Sequence, residues 1–192
     1  SNIVPGQDHA KKPYWRDVGT LKAFFEANMD LRTTNPQLDL YNDKWPIYNY
    51  HYSLPPAKFV HNEEVDQYGL PRIGKAINSI VCDGSVVSGS TVTNSILFNQ
   101  VHIHSYATVH NSIILSDVDI AEHCRIRNVI IDKHNSIPQG TVIGYDREED
   151  KKRFFVVDIN KEEWLTVLEK NQYVNGVLVK KPEEPKDPAA KK

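Results

Sequence analysis

Cysteine is scarce in this chain: there are two in 192 residues, and methionine occurs once. Two thiols make no disulfide framework. Cys82 and Cys124 read instead as small buried hydrophobes that fit a reducing, cytoplasmic setting. Neither sign of charge dominates, with 23 Lys and Arg against 25 Asp and Glu and a net charge of -2. That balance excludes a strongly basic surface, so no nucleic-acid partner is expected. No apolar run approaches the ~18 residues of a membrane helix, and no signal peptide is legible, so no membrane partner is expected either. What remains is a globular composition, 40% hydrophobic and 25% charged, with room for one ordinary domain. The start, Ser1-Asn2-Ile3-Val4-Pro5-Gly6, is not a natural initiator. The expectation is a piece of a longer protein, or a chain with added residues at its start.

The middle of the chain repeats. Asn78-Ser79-Ile80-Val81, Asn94-Ser95-Ile96-Leu97, Asn111-Ser112-Ile113-Ile114 and Asn128-Val129-Ile130-Ile131 are related tetrapeptides at a nearly constant step. The first step, Asn78 to Asn94, is one position shorter than the two that follow. Val86, Ile103, Ile120 and Ile137 read as one apolar row. Val92, Val109, Ile126 and Ile143 form a second, and Leu97, Ile114 and Ile131 a third. Anchors about five or six positions apart are too widely spaced for a helix and suit three short strands per coil, each ending in a tight turn. Gly84, Gly89, Gly140 and Gly144, with Asn94, Asn111 and Asn128, supply turn residues that tolerate positive φ. The fold class is therefore mainly β: a left-handed parallel β-helix of hexapeptide type, with about four coils over residues 77–145.

The flanks carry other periods. Leu21, Phe24, Phe25, Asn28 and Leu31 lie at helical spacing after Asp17 or Thr20, predicting a helix within 14–31. Residues 35–76 form a connector. Its first part, 35–60, is rich in Pro and aromatic residues and is expected to pack in extended form against a neighbour; Glu63 to Lys75 is expected to be an exposed loop. Asp146 to Arg153 is a charged run that predicts a helix. Lys161 to Gln172 is a second helix candidate, and Lys180 to Lys192 is expected to be disordered.

Tyr14-Trp15-Arg16-Asp17-Val18-Gly19-Thr20, Trp45-Pro46-Ile47 and Leu54-Pro55-Pro56-Ala57-Lys58-Phe59-Val60 resemble glucose-1-phosphate adenylyltransferase, the ADP-glucose pyrophosphorylase family of bacterial glycogen synthesis. Val87-Ser88-Gly89-Ser90 and Ile137 to Gly144 continue the likeness, which covers roughly 14–155. The resemblance implies an enzyme that makes ADP-glucose and pyrophosphate from ATP and glucose 1-phosphate. It also implies Mg2+ held by acidic residues of an α/β nucleotidyltransferase domain, and a homotetramer. On this likeness residues 1–34 are the C-terminal edge of the catalytic domain, and 146–192 form a C-terminal helical and strand segment with a disordered tail. Asp17 matches a catalytic, magnesium-binding aspartate, and Trp15 sits beside the sugar-phosphate pocket. Asp117 and Lys133 match positions that line a pocket for an anionic allosteric effector, AMP or a sugar phosphate.

The family's Gly-rich nucleotide loop has no counterpart in this chain, so the chain alone is expected to be inactive and to carry no cofactor. Read without the resemblance, Asp17 is a helix N-cap, and Asp117 and Lys133 are exposed loop charges. Two other readings follow from the repeat. A hexapeptide acyltransferase would use a histidine, and His102, His104, His110, His123 and His134 are the candidates. A zinc site of three histidines is the related metal reading. His104 and His123 are separated by more than one coil step and do not stack, whereas His102 and His104 share one strand face. Neither acetyl-CoA nor zinc binding is expected on this reading. A purely structural oligomerisation module is the non-enzymatic alternative.

Overall fold

The computed structural model describes residues 14–44, 46–48, 53–65, 69, 71–160, 162–174 and 176–178. The expected disordered tail, Lys180 to Lys192, and Trp45, Tyr50 and Tyr52 of the connector lie outside the described residues. One helix leads, α1 (Leu21–Leu31). The strands begin with β1 (Lys58–Val65), β2 (Pro71–Ile73), β3 (Lys75–Ile77) and β4 (Ile80–Val81). Next come β5 (Val86–Ser88), β6 (Thr91–Thr93), β7 (Ile96–Leu97), β8 (His102–Ile103), β9 (Thr108–His110) and β10 (Ile113–Ile114). Then follow β11 (Asp119–Ile120), β12 (Arg125–Arg127), β13 (Val129–Ile131), β14 (Ser136–Ile137) and β15 (Val142–Ile143). Helix α2 (Arg147–Arg153) precedes β16 (Phe155–Asp158), β17 (Trp164–Leu168), β18 (Tyr173–Val174) and β19 (Val177–Leu178).

Every third strand pairs in parallel, so three sheets wrap one prism. The first runs β14-β11-β8-β5-β1-β2, the second β16-β17-β13-β10-β7-β4, and the third β15-β12-β9-β6-β3. The inner rows are Val87, Ile103, Ile120 and Ile137; Val92, Val109, Ile126 and Ile143; and Leu97, Ile114 and Ile131, all essentially inaccessible. Each such side chain contributes about 1.5–3 kcal/mol of burial. The first row corrects one sequence assignment. Val87 pairs with Ile103, and Val86 faces outward beside His102. The first coil is one residue shorter than those that follow, so the anchor falls one position later than a constant step predicts.

The Asn-Ser pairs explain the corner between the third and second sheets. Asn78, Asn94, Asn111 and Asn128 all have φ between 46° and 51°. This left-handed backbone is one that Asn tolerates better than most residues. Asn78 Nδ2 donates to Asn94 Oδ1, and Asn111 Nδ2 to Asn128 Oδ1, each at 2.7 Å. The serines bridge coils: Ser95 N–H donates to Ser79 Oγ at 3.0 Å, Ser112 N–H to Ser95 Oγ at 3.1 Å, and Val129 N–H to Ser112 Oγ at 3.2 Å. Buried backbone donors are thereby satisfied without a longer strand.

Ile96, Ile113 and Ile130 project from the outer face of the second sheet, yet are 3%, 0% and 4% exposed. Phe25 and Met29 of α1 cover them, together with Leu165. Thr20 caps α1, its hydroxyl accepting from Ala23 N–H at 3.1 Å. Of the two predicted helix starts, the structure selects Thr20. The Asp146–Arg153 helix forms as predicted, with Asp146 as N-cap.

Three expectations are corrected. Lys161 to Gln172 is not a helix. Within it, β17 pairs in parallel with β13, placing Val167 on Ile130 and Leu168 on Ile131. The open edge of the last coil offers a full set of hydrogen bonds, and Trp164, Leu165, Val167 and Leu168 serve it as a strand. Glu63 to Lys75 is not a plain loop either. There β1 and β2 form an antiparallel pair with a register shift, while Lys58 to Val60 pair with Val86 to Ser88. Gly74 is required where this hairpin meets the coil, since a Cβ there would lie 2.2 Å from the Val87 carbonyl oxygen. The described aromatic residues of the connector are not packed away as expected: Tyr41 and Tyr48 are 77% and 91% exposed.

Candidate functional site

The corner after each second-sheet strand is another left-handed position, and it holds the two residues matched to an effector pocket. Gln100, Asp117 and His134 occupy it on successive coils with φ of 60°, 61° and 60°. Asp117 N–H donates to the Asn99 carbonyl at 3.2 Å, and His134 N–H to the Ser116 carbonyl at 3.3 Å. The Asp117 carboxylate faces His134 Nδ1 at 3.6 Å, with both side chains close to half exposed. Lys133 is the chain neighbour of His134; it is exposed, and its carbonyl accepts from Asn171 N–H at 3.2 Å. Asp117 and Lys133 thus stand at one corner on adjacent coils, an acid and a base open to solvent. Such an arrangement can take a phosphate on the ammonium, with the carboxylate limiting where it sits.

Trp15 and Asp17 lie on the lead into α1. Trp15 is 81% exposed. Asp17 Oδ1 accepts from Gly19 N–H at 2.9 Å, an Asx turn that sets the chain up for the Thr20 cap. Arg16 reaches Asp30 at 3.9 Å. Among the described residues no hydrogen bond or ion pair joins Trp15 or Asp17 to Asp117 or Lys133. The predicted residues fall into two separate places.

Asp17 is a poor magnesium site by itself. Magnesium takes about six oxygens in near-octahedral geometry, and one Asp17 oxygen is already engaged by the Gly19 amide.

The histidines scatter, as an acyltransferase site would not. His110 Nδ1 bonds the Thr93 hydroxyl at 2.8 Å, and His123 stacks on Tyr106 with centroids 5.1 Å apart. His134 faces Asp117. His102 and His104 share one outer strand face, as expected from their spacing. Their rings stack at 4.0 Å, inclined by 27°.

Sequence reasoning missed their third neighbour, Asp119. Parallel pairing sets Asp119 beside His102, and His104 Nε2 lies 2.9 Å from Asp119 Oδ1. Moving one coil step on from His102 gives Asp119, so the signal was present. Burial and then the adjacent His104 push the His102 imidazole below its ordinary value, against the pull of Asp119.

Comparison with known proteins agrees with this architecture. Residues 55–160, more than half of the chain, match the family described as GlmU-like, C-terminal hexapeptide. The chain is 57% identical over 150 residues to the glucose-1-phosphate adenylyltransferase of Saccharophagus degradans, covering 78% of this chain and 34% of that protein. It is 47% identical over 156 residues to the one of Deinococcus radiodurans, covering 81% and 36%. It is 46% identical over 157 residues to the one of Anaeromyxobacter sp. (strain Fw109-5), covering 82% and 37%. The chain therefore spans just over a third of the length of these curated relatives, matching their C-terminal region. With three parallel sheets, a corner every few residues and this match, the solenoid is a left-handed β-helix, and the chain belongs to the GlmU-like C-terminal hexapeptide family.

Proposed function

We propose that this chain is the regulatory and assembly part of a glucose-1-phosphate adenylyltransferase, an enzyme that makes ADP-glucose and pyrophosphate from ATP and glucose 1-phosphate for glycogen synthesis. One observation carries the reading. The likeness to enzymes of that name is accompanied by a helix, α1, docked through Phe25 and Met29 onto Ile96, Ile113 and Ile130 of the solenoid. On the family likeness α1 belongs with the edge of the catalytic domain. Phe25 and Met29 are buried there, so α1 and the solenoid pack together. A change at the solenoid could then be felt by the segment that carries Trp15 and Asp17.

In this reading Asp17 supplies one oxygen to Mg2+, with the remaining ligands in the catalytic domain. The ion offsets the clustered phosphate charge. Trp15 flanks the sugar phosphate. Lys133 holds the phosphate of AMP or a sugar phosphate, and Asp117 borders it. The protein assembles as a homo-oligomer, through solenoid faces that α1 leaves open, and works in the cytoplasm. No helix among the described residues is long and apolar enough to cross a membrane.

The test uses the chain as it stands, with ATP, glucose 1-phosphate and magnesium. No ADP-glucose should form, and measurable turnover would overturn the reading. Light scattering should give a mass above that of the monomer. In the whole enzyme, Lys133→Gln should weaken effector binding by calorimetry, and unchanged binding would remove Lys133 from the pocket.

A further inference from the structure

We propose that His102, His104 and Asp119 form a site for a divalent transition-metal ion of the zinc class, held on the outside of the solenoid across two successive coils. The three candidate ligand atoms lie within 4.8 Å of one another. Two features of the fold bring them there. The strand period sends His102 and His104 out of the same face, two positions apart. The coil period sets Asp119 on the neighbouring strand directly beside His102, a register pair of β11 with β8. Asp119 Oδ1 then stands 2.9 Å from His104 Nε2 and 3.7 Å from His102 Nδ1.

A zinc ion with bonds of about 2.0–2.1 Å places its ligand atoms about 3.3 Å apart. The observed spread needs only small rotations of side chains that are 37% to 47% exposed. Stacked imidazoles are a poor arrangement for two protonated rings, since like charges would face each other. Being partly exposed, the two neutral rings can turn out of the stack and each aim a lone pair at a shared ion. Plain ion pairs of Asp119 with His104 and His102 at this exposure are worth little.

Two imidazoles and one carboxylate select zinc, copper, nickel or cobalt over magnesium and calcium. The site is therefore separate from the magnesium of nucleotidyl transfer. Three protein ligands leave one position open to water or to an added group. A bound ion would also tie β8 to β11, joining adjacent coils through side chains as well as backbone. Sequence spacing alone argues against zinc. That expectation rests on His104 and His123, which indeed sit on different rows, and it passes over Asp119.

The experiment titrates ZnCl2 into the chain, purified without a polyhistidine tag, at neutral pH. Calorimetry should show one ion per chain with micromolar affinity, and zinc should raise the thermal midpoint by mass action. His102→Gln, His104→Gln and Asp119→Asn should each weaken binding by about tenfold or more and remove the thermal shift. His123→Gln and His134→Gln should change neither. Cobalt gives a readout that needs no variant: absorption bands of a low-symmetry nitrogen and oxygen site are expected. Absence of binding up to millimolar zinc would overturn the proposal. So would an aqueous cobalt spectrum, or loss of binding only in the His123 or His134 variants.

Discussion

Asp150 Oδ2 accepts the backbone N–H of Gly144 at 2.8 Å. The same oxygen accepts from Thr166 Oγ1 at 3.0 Å and from Trp164 Nε1 at 3.2 Å, and the residue is 1% exposed. One carboxylate thus ties the last coil, α2 and β17 together. Removing it strands three donors, two of them side-chain groups. Asp150→Ala should destabilise the chain by about 3 kcal/mol in urea unfolding. A loss below about 0.5 kcal/mol, the range of neutral surface changes, would show that the tie is unimportant.

Gly144 and Gly140 form a matched pair. Both have positive φ, at 85° and 71°. A Cβ on Gly144 would sit 1.7 Å from the Arg127 carbonyl oxygen, whereas a Cβ on Gly140 would meet nothing within 4 Å. Gly140→Ala should cost only the left-handed backbone term, about 1–2 kcal/mol. Gly144→Ala should cost that plus a backbone displacement, and its thermal midpoint should be clearly the lower of the two. Equal midpoints would mean that the last corner is not held as described.

Ile114 lies between Leu97 and Ile131 in the interior row, with no exposure. Ile114→Ala should lose about 2–5 kcal/mol. Ile113 is equally buried, but by α1 on the outside. Ile113→Ala should loosen α1 while the coils persist, so hydrogen exchange should rise over Leu21–Leu31 more than in the solenoid strands. Uniform exchange across both would argue against docking as a separable contact.

His110 gives a pH dependence. Burial, then the charges of Arg127 and Arg32, hold its imidazole below the ordinary 6.5. Above 6.5 the ring is neutral in both the folded and unfolded chain, and its contribution to stability is fully present. As the pH falls below 6.5 the unfolded chain takes the proton first, so stability is lost through the window down to the folded value. The midpoint of the His110 ring signal by NMR should lie below 6.5 and rise in Arg127→Gln. A midpoint above 6.5 would reverse the sign.

The solenoid was legible because burial on one inner face forces β-branched or leucine anchors to recur with the coil. Its phase was less so. The sequence could not tell Val86 from Val87, because both are valines and the first coil is one residue short. Ile113 beside Ile114 also held information: two adjacent isoleucines mean that both faces of that strand are covered, and α1 is the cover. Trp164 to Leu168 reads equally well at either period over so short a run. Only the unpaired edge of β13 decides for a strand.

The site residues divide in the same way. Asp117 sits where the corner needs a left-handed residue, so local backbone geometry accounts for its position before any ligand does. Asp119 was missed because its partner lies a whole coil away along the chain. A motif confined to neighbouring positions does not contain it.

The two hairpins that close the solenoid pair with ordinary coil strands, β1 with β5 and β17 with β13. Every coil presents a similar edge. A duplication or deletion of one whole coil between them would leave both closures with a partner of the right register. The distance between whatever is attached at its two ends would change in steps of one strand spacing, about 4.8 Å, and α1, which spans Ile96, Ile113 and Ile130, would have to be refitted.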